Sequence, residues 1–246
     1  MDPAPDRLGL FRPVWRLLTF RLTVDEFLAL DRRHLVLGLV TCWLVGIGRY
    51  WDNPRAVLIQ HLGLGSVVYA AVLAAFLYRL TKPLKPENWS YRRVLTYVAL
   101  TGPPAAIYAI PVERFMPLDQ AQNANLAFLG IVAAWRVALL VLLFRRYGRL
   151  TWFRTVLATL LPLAIIVFAL AVLNLEHVVF RIMGGLTREN RSSHDAAYAW
   201  IWLLGWLSVL LLPFLLLIYL VVIVVTRRRR KQETSETSAE DAEDAA

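Results

Sequence analysis

Six apolar stretches, at residues 35–51, 57–78, 94–112, 126–144, 155–175 and 198–226, alternate with short polar segments along this chain. A helix rises 1.5 Å per residue, so roughly 20 apolar residues cross a hydrocarbon core about 30 Å thick. The pattern therefore predicts an all-α protein, a polytopic bundle of six transmembrane helices. The first stretch is the shortest. Only residues 35–48 are continuously apolar, a rise of about 21 Å, so this helix needs local thinning of the bilayer or close neighbours. The last stretch exceeds the core and must tilt or project beyond it. Tyr50 and Trp51, Trp89 and Tyr91, Tyr147 and Trp152, and Tyr198 and Trp200 fall at the boundaries, where amphipathic rings are favoured.

The polar segments set an orientation. Arg136 lies deep inside a span; of the other lysines and arginines, with Arg49 at the end of the first stretch counted in the segment that follows it, 20 sit in the N-terminal segment and every second segment after it, and 6 in the rest. By the positive-inside rule both termini are cytoplasmic. Residues 1–34 form a cytoplasmic segment in which Thr23-Val24-Asp25-Glu26 has the spacing of a capping box. The following helix is expected to lie on the membrane surface, with Phe27, Leu28 and Leu30 against lipid and Asp31, Arg32 and Arg33 in water. Residues 227–246 are a basic stop followed by an acidic tail without aromatic residues, a composition that predicts disorder.

Composition narrows the function classes. The chain is 58% hydrophobic, has nine Trp and carries a formal charge of +9. That charge lies in loops, and no soluble stretch is long enough to build a nucleic-acid-binding face. Anionic headgroups are the expected partner of Arg145, Arg146, Arg149 and the basic run 227–231. Cys42 is the single cysteine, which excludes an internal disulfide and a cysteine-based metal cluster. Acidic residues interrupt the N-terminal arginines, and no cleavable signal pattern follows. The loops hold no catalytic domain, phosphate-binding glycine loop, metalloprotease helix or nucleophile elbow. No cofactor is implied. The short loops and the Arg, Ala and Leu content point to a multi-pass protein of the bacterial inner membrane.

Three features bear on chemistry. Arg136 sits near the middle of the fourth span, where a charge must face the bundle interior, a water cavity or a partner. It is either structural, bonding backbone carbonyls, or a ligand site. The third span contains Gly102-Pro103-Pro104, with Tyr108 and Pro111 beyond. Prolines remove helical donors, so the carbonyls of Ala99, Leu100 and Ile107 are expected to be free and within reach of Arg136. In the second span Gly63, Gly65, Ser66, Ala70, Ala71, Ala74 and Ala75 permit close helix approach, read as packing inside the bundle, with a homo-oligomer seam as the alternative. The external rim holds His61, Glu113, Arg114, Glu176 and His177, beside Arg49, Asp52, Asp119, His194 and Asp195. Such groups bind metal or act as acid and base, but their spacing matches no metal or catalytic motif.

Ser90-Tyr91-Arg92-Arg93-Val94-Leu95 leads into the proline-bearing span. A span centred on Trp135 follows, then Arg145-Arg146-Tyr147-Gly148-Arg149-Leu150-Thr151 and a further span with Leu161-Pro162. This region, residues 89–173, resembles the Ypt-interacting-protein (Yip) family. The resemblance implies a helical membrane domain without catalytic residues; eukaryotic members are associated with small GTPases and vesicle traffic. Six spans depart from the five usual in that family, and no residue here inherits a GTPase-binding role. The leading expectation is a non-enzymatic membrane protein that binds protein partners or lipids. Two alternatives stand beside it: a small transporter or channel built around Arg136 and the broken third span, and an intramembrane enzyme using the His and carboxylate rim.

Overall fold

The computed structural model describes residues 9–51, 58–173 and 195–243; the side chains of 113, 118, 119, 122, 195–202 and 229–243 are outside that description. Among the described residues the regular structure is entirely helical: α1 (Arg12–Leu18), α2 (Val24–Leu28), α3 (Arg32–Gly48), α4 (Leu58–His61), α5 (Leu64–Thr81), α6 (Tyr91–Leu100), α7 (Leu118–Leu142), α8 (Trp152–Val172) and α9 (Asp195–Glu243), with short 3-10 turns between some of them. Four segments are long and apolar enough to cross a bilayer: Leu64–Leu84, Asn123–Tyr147, Trp152–Val172 and Leu203–Arg228. They overlap the second, fourth, fifth and sixth expected spans, so the chain has the helices of a polytopic membrane protein. The first and third expected spans are shorter. Helix α3 has 17 residues, a rise of about 26 Å. Helix α6 ends after ten residues, and a 3-10 helix at Pro103–Ala109 continues it.

The cause of that break is local. Pro103 and Pro104 bring no amide hydrogens, so the α-helical ladder cannot continue past Leu100. Two of the carbonyls left behind find other donors. Ala99 O accepts from the Gly102 amide at 3.1 Å and from the Cys42 thiol at 3.3 Å, and Ile107 O accepts from the Ile110 amide at 3.2 Å.

Helices α3, α5 and α6 pack together at the centre of the N-terminal half. Their backbones approach through small residues. A Cβ on Gly38 would stand 2.8 Å from Ala99 Cβ and 3.0 Å from the Leu100 nitrogen, and one on Gly102 would stand 2.8 Å from Cys42 Sγ. At the other end of α3, a Cβ on Gly46 would meet Ser66 Oγ at 2.6 Å. Gly63, which precedes α5, has φ +66° and its own Cβ position is 2.5 Å from Trp43 O, so both conformation and space require glycine there. The small face of α5 lies inside the bundle, with Ala70 and Ala74 buried. The stripe Gly38, Cys42, Gly46 on α3 is its counterpart. Helices α8 and α9 form a second packed pair, and most of the large apolar side chains of α9 face outward.

The N-terminal segment departs from expectation. The capping box forms, with the Thr23 hydroxyl accepting from the Glu26 amide and the Glu26 carboxylate accepting from the Thr23 amide at 2.9 Å. Yet Phe27 and Leu30 are buried in the main core with Leu17 and Leu22, and Leu28 is half-buried; none of the three defines a lipid-facing surface. Phe27 stacks on Tyr147 at 4.3 Å and meets Tyr97 edge-on at 6.0 Å. Tyr147 Oη donates to Leu22 O at 3.0 Å, and Trp135 Nε1 donates to Leu18 O at 3.1 Å. Phe27 is thus covered by Tyr97 of α6 and by Tyr147 just beyond α7, while Phe11 and Trp15 of the same segment stay exposed. Asp31, Arg32 and Arg33 are exposed, as expected. At the opposite end of the chain, the α9 backbone is helical to Glu243, through residues whose acidity predicts disorder. Ala and Glu, which recur there, are strong helix formers.

Candidate functional site

Two clusters of cationic and aromatic side chains lie at opposite ends of the bundle. The first grows from the C-terminus of α3. Arg49 caps that helix, and its guanidinium carbon lies 5.7 Å from the Tyr50 ring centroid and 5.5 Å from that of Tyr108 in the 3-10 segment. Trp51 Nε1 donates to Ala109 O at 3.1 Å, and Arg114 stands over the Trp51 ring at 5.0 Å. These contacts fasten the end of α3 to the 3-10 segment that the prolines create.

Arg136 joins this cluster from α7. It lies about 16 Å along the helix from Tyr147 at 1.5 Å per residue, and it is close enough to Arg49, Tyr108 and Cys42 to interact electrostatically with each. The residue is half-buried, and its Nε is sealed from solvent without a hydrogen-bond partner. Among the described residues Arg136 makes no hydrogen bond or ion pair. The expectation that the freed carbonyls of Ala99, Leu100 and Ile107 receive it is therefore corrected: Arg136 bonds none of them, and Ala99 O and Ile107 O accept instead from Gly102, Cys42 and Ile110.

Of the expected midplane set, Tyr108 is near enough to Arg136 to interact with it electrostatically. Gly102 packs on Cys42, which interacts electrostatically with Arg136. Pro103 and Pro104 act by starting the 3-10 turn that carries Tyr108. Of the rim set, the side chains of Arg49, His61 and Arg114 are described. Arg114 is on Trp51, and His61 ends the short helix α4. Glu113 is described only in its backbone, and Glu176 and His177, with Asp52 and His194, lie outside the described residues. Among the described residues, no three His, Cys, Asp or Glu side chains come together in a metal-holding group. Sequence reasoning placed Arg49 on the rim and missed its pairing with Tyr108; the available signal was its position at the end of the shortest span.

The second cluster closes the other end, where the N-terminal segment, the α5–α6 connection, the α7–α8 turn and Thr226 of α9 meet. Arg145 Nη1 donates to Leu150 O at 2.7 Å, and its guanidinium lies 5.7 Å from the Trp152 ring. Arg146 Nη1 donates to Phe20 O, and Arg154 reaches both Leu84 O and Thr226 Oγ1. Arg149 pairs with Glu87 at 3.2 Å, beside a bond from the Glu87 amide to Gly148 O at 3.0 Å. Arg12, Arg21, Arg227 and Arg228 stay exposed at this end, together with Phe11, Trp15, Trp152 and Phe153.

Two carboxylates here have perturbed acidity. Burial acts to raise Glu26, but the Thr23 amide and hydroxyl and the Arg16 guanidinium outweigh it and hold the carboxyl below its ordinary value. Asp31 is likewise lowered: the His34 ring and the amides of His34 and Arg33 overcome a desolvation that acts the other way. Asp31 thereby caps α3 with His34 as its reciprocal partner, a second capping box that lacks the usual Glu or Gln at the third position. No family model matches this chain, and neither a curated protein nor a solved structure is significantly similar to it.

Proposed function

We propose that this chain is a non-enzymatic, six-crossing membrane protein of Yip-like type, with both termini cytoplasmic in a bacterial inner membrane, and that its cytoplasmic end binds anionic lipid headgroups. The observation that carries the lipid reading is the pairing, at one end of the bundle, of exposed arginines with exposed aromatic rings: Arg12, Arg21, Arg227 and Arg228 beside Phe11, Trp15, Trp152 and Phe153. Such rings sit at headgroup depth, and cations next to them meet the negative potential of the cytoplasmic leaflet at about 1 kcal/mol each. The strongly uneven distribution of lysine and arginine supports the orientation. Helices α3 and α6 are short, but their tight packing on α5 allows them to cross within a thinned or well-shielded region.

The test is thermal unfolding of purified protein in an uncharged detergent, with phosphatidylglycerol or phosphatidylcholine added. Greater stabilisation by the anionic lipid is expected, and the combined substitutions Arg21→Gln, Arg227→Gln and Arg228→Gln should remove most of the difference. These three side chains are exposed, so the fold should survive their loss. Equal stabilisation by the two lipids, or a preference untouched by the three substitutions, would overturn the reading.

A further inference from the structure

We infer that the turn at residues 18–20, between α1 and α2, is re-entrant: it lies below the headgroups, in the hydrocarbon of the cytoplasmic leaflet, and the partner of its exposed Phe20 ring is the acyl chains there. The inference deepens the lipid reading, on which it rests for the side of the membrane, and it sets this turn deeper than the arginines and rings around it.

Depth follows from α7. The segment Asn123–Tyr147 is long and apolar enough to cross a bilayer, and Arg145 and Arg146 mark its basic end. Trp135 lies about 15 Å before Arg145 at 1.5 Å per residue, and half of a hydrocarbon core is about 15 Å thick. Yet the Trp135 indole donates to Leu18 O at 3.1 Å, and its ring stacks on Phe20 with centroids 6.3 Å apart and planes at 22°. An indole is much shorter than half a hydrocarbon core, so the backbone it holds lies inside the apolar layer. From there the chain climbs back to the basic end, where Arg146 bonds Phe20 O and Tyr147 bonds Leu22 O.

A non-helical turn at that depth must answer its own backbone polar groups, because lipid chains offer neither donors nor acceptors. The amides of Thr19, Phe20, Arg21 and Leu22 donate to Trp15 O, Leu17 O, Arg16 O and again Arg16 O, and that of Thr23 donates to the Glu26 carboxylate. The carbonyls of Leu18, Phe20 and Leu22 accept from Trp135, Arg146 and Tyr147. The Thr19 hydroxyl turns back to Trp15 O at 2.8 Å. A turn in water needs no such closure, since water satisfies its groups. Charge stays at the neck of the turn: Arg16 pairs with Glu26, and the exposed Arg12 and Arg21 are long enough to reach headgroups from below. Phe20 supplies the outward contact. It follows the C-cap of α1 with φ +62°, the left-handed position that helix ends ordinarily give to glycine, and a bulky residue is strained there. Its ring is also 41% exposed. In water the strain and the uncovered ring would both count against phenylalanine; among acyl chains the ring is in its own kind of solvent, and stacking on Trp135 offsets the strain.

The experiment reads depth directly. The full chain with Cys42→Ser, which removes the sole cysteine, carries a bimane label at Phe20→Cys or at Thr19→Cys and is reconstituted in phosphatidylcholine vesicles. The vesicles contain a nitroxide on the lipid headgroup, high on the acyl chain or at the chain end. Phe11→Cys, at an exposed position before α1, is the comparison at headgroup depth. Positions 19 and 20 should lose more fluorescence to a chain nitroxide than to the headgroup nitroxide, and position 11 should show the reverse. Thr19→Cys leaves the Phe20 ring in place, so depth is still read if the unfolding midpoint shows that Phe20→Cys does not fold. Strongest quenching of a folded variant at 19 or 20 by the headgroup nitroxide, or no quenching by any lipid nitroxide, would overturn the inference. These vesicles hold no anionic lipid, so the result is independent of headgroup selectivity. Chain-level quenching without a preference for phosphatidylglycerol overturns the headgroup reading alone, and the converse overturns the re-entrant turn alone.

Discussion

Glu26 couples a local pattern to the packing of the whole N-terminal segment. Its carboxylate completes the capping box with Thr23 and pairs with Arg16, across the turn between α1 and α2. The folded carboxyl is lowered from 4.5, so the stabilisation it gives is fully present above that pH and is lost as pH falls through the lowered value. Glu26→Gln should lower stability by about 1 kcal/mol near neutrality, mainly through the pair and the weakened cap. The same variant should lose less stability than wild type between about pH 5 and about pH 3, which acid titration followed by tryptophan fluorescence would check. Tyr147 tests a contact that no local pattern announces. Tyr147→Phe removes the bond to Leu22 O and strands a buried carbonyl, with an expected loss of about 1–2 kcal/mol in chemical unfolding. The capping box was readable because its residues are neighbours in sequence. The burial of Phe27 was not, because an apolar pattern says that a residue leaves water and is silent on whether lipid or protein covers it.

Among the elements, α3 and α6 show what small residues accomplish and how far their spacing can be read. The small face of α5 was legible as a run of Gly, Ser and Ala. The face of α3 was not, since Cys42 stands between Gly38 and Gly46 and long apolar residues surround all three. Its role appears only when α6 is placed against it. Gly38→Leu should force α3 and α6 apart, because even the first added carbon falls 2.8 Å from Ala99 Cβ and 3.0 Å from backbone. Overpacking of this kind costs about 1–3 kcal/mol, visible as a lower unfolding midpoint in detergent. Gly65→Leu is the matched control: its Cβ meets nothing within 4 Å, so stability should hold or rise slightly through better helix propensity. The broken third span was also legible, from the paired prolines. The fate of its carbonyls was not, because the donors that satisfy them include Cys42, more than fifty residues away in sequence.

At the scale of the molecule, the apolar pattern and the loop charges are independent observations, and they agree with the way the chain ends are joined. Residues 18–30, the connection at 82–88, the turn at 147–154 and Thr226 are bonded to one another at one end, while Trp51 and Ala109 are bonded at the other. That arrangement constrains the proposed topology more tightly than helix length can. If α3 stayed in the membrane plane, the N-terminal segment would share a side with Leu58 and Met116, yet its hydrogen bonds tie it to Arg146 and Tyr147, and the turn that follows them is bonded through Arg149 and Arg154 to the segments that carry Lys82 and Arg228. Cys42 is the sole cysteine and is buried, so Cys42→Ser supplies a background for single reporters. In intact cells, an impermeant maleimide should label Leu58→Cys and Met116→Cys, both at exposed positions, and should reach Asp25→Cys, Lys82→Cys and Arg228→Cys only after permeabilisation. Labelling of Asp25→Cys from outside, with Lys82→Cys still protected, would separate the N-terminal segment from the rest of that end and refute the first crossing. Uniform protection of Leu58→Cys and Met116→Cys would refute the orientation drawn from the arginines.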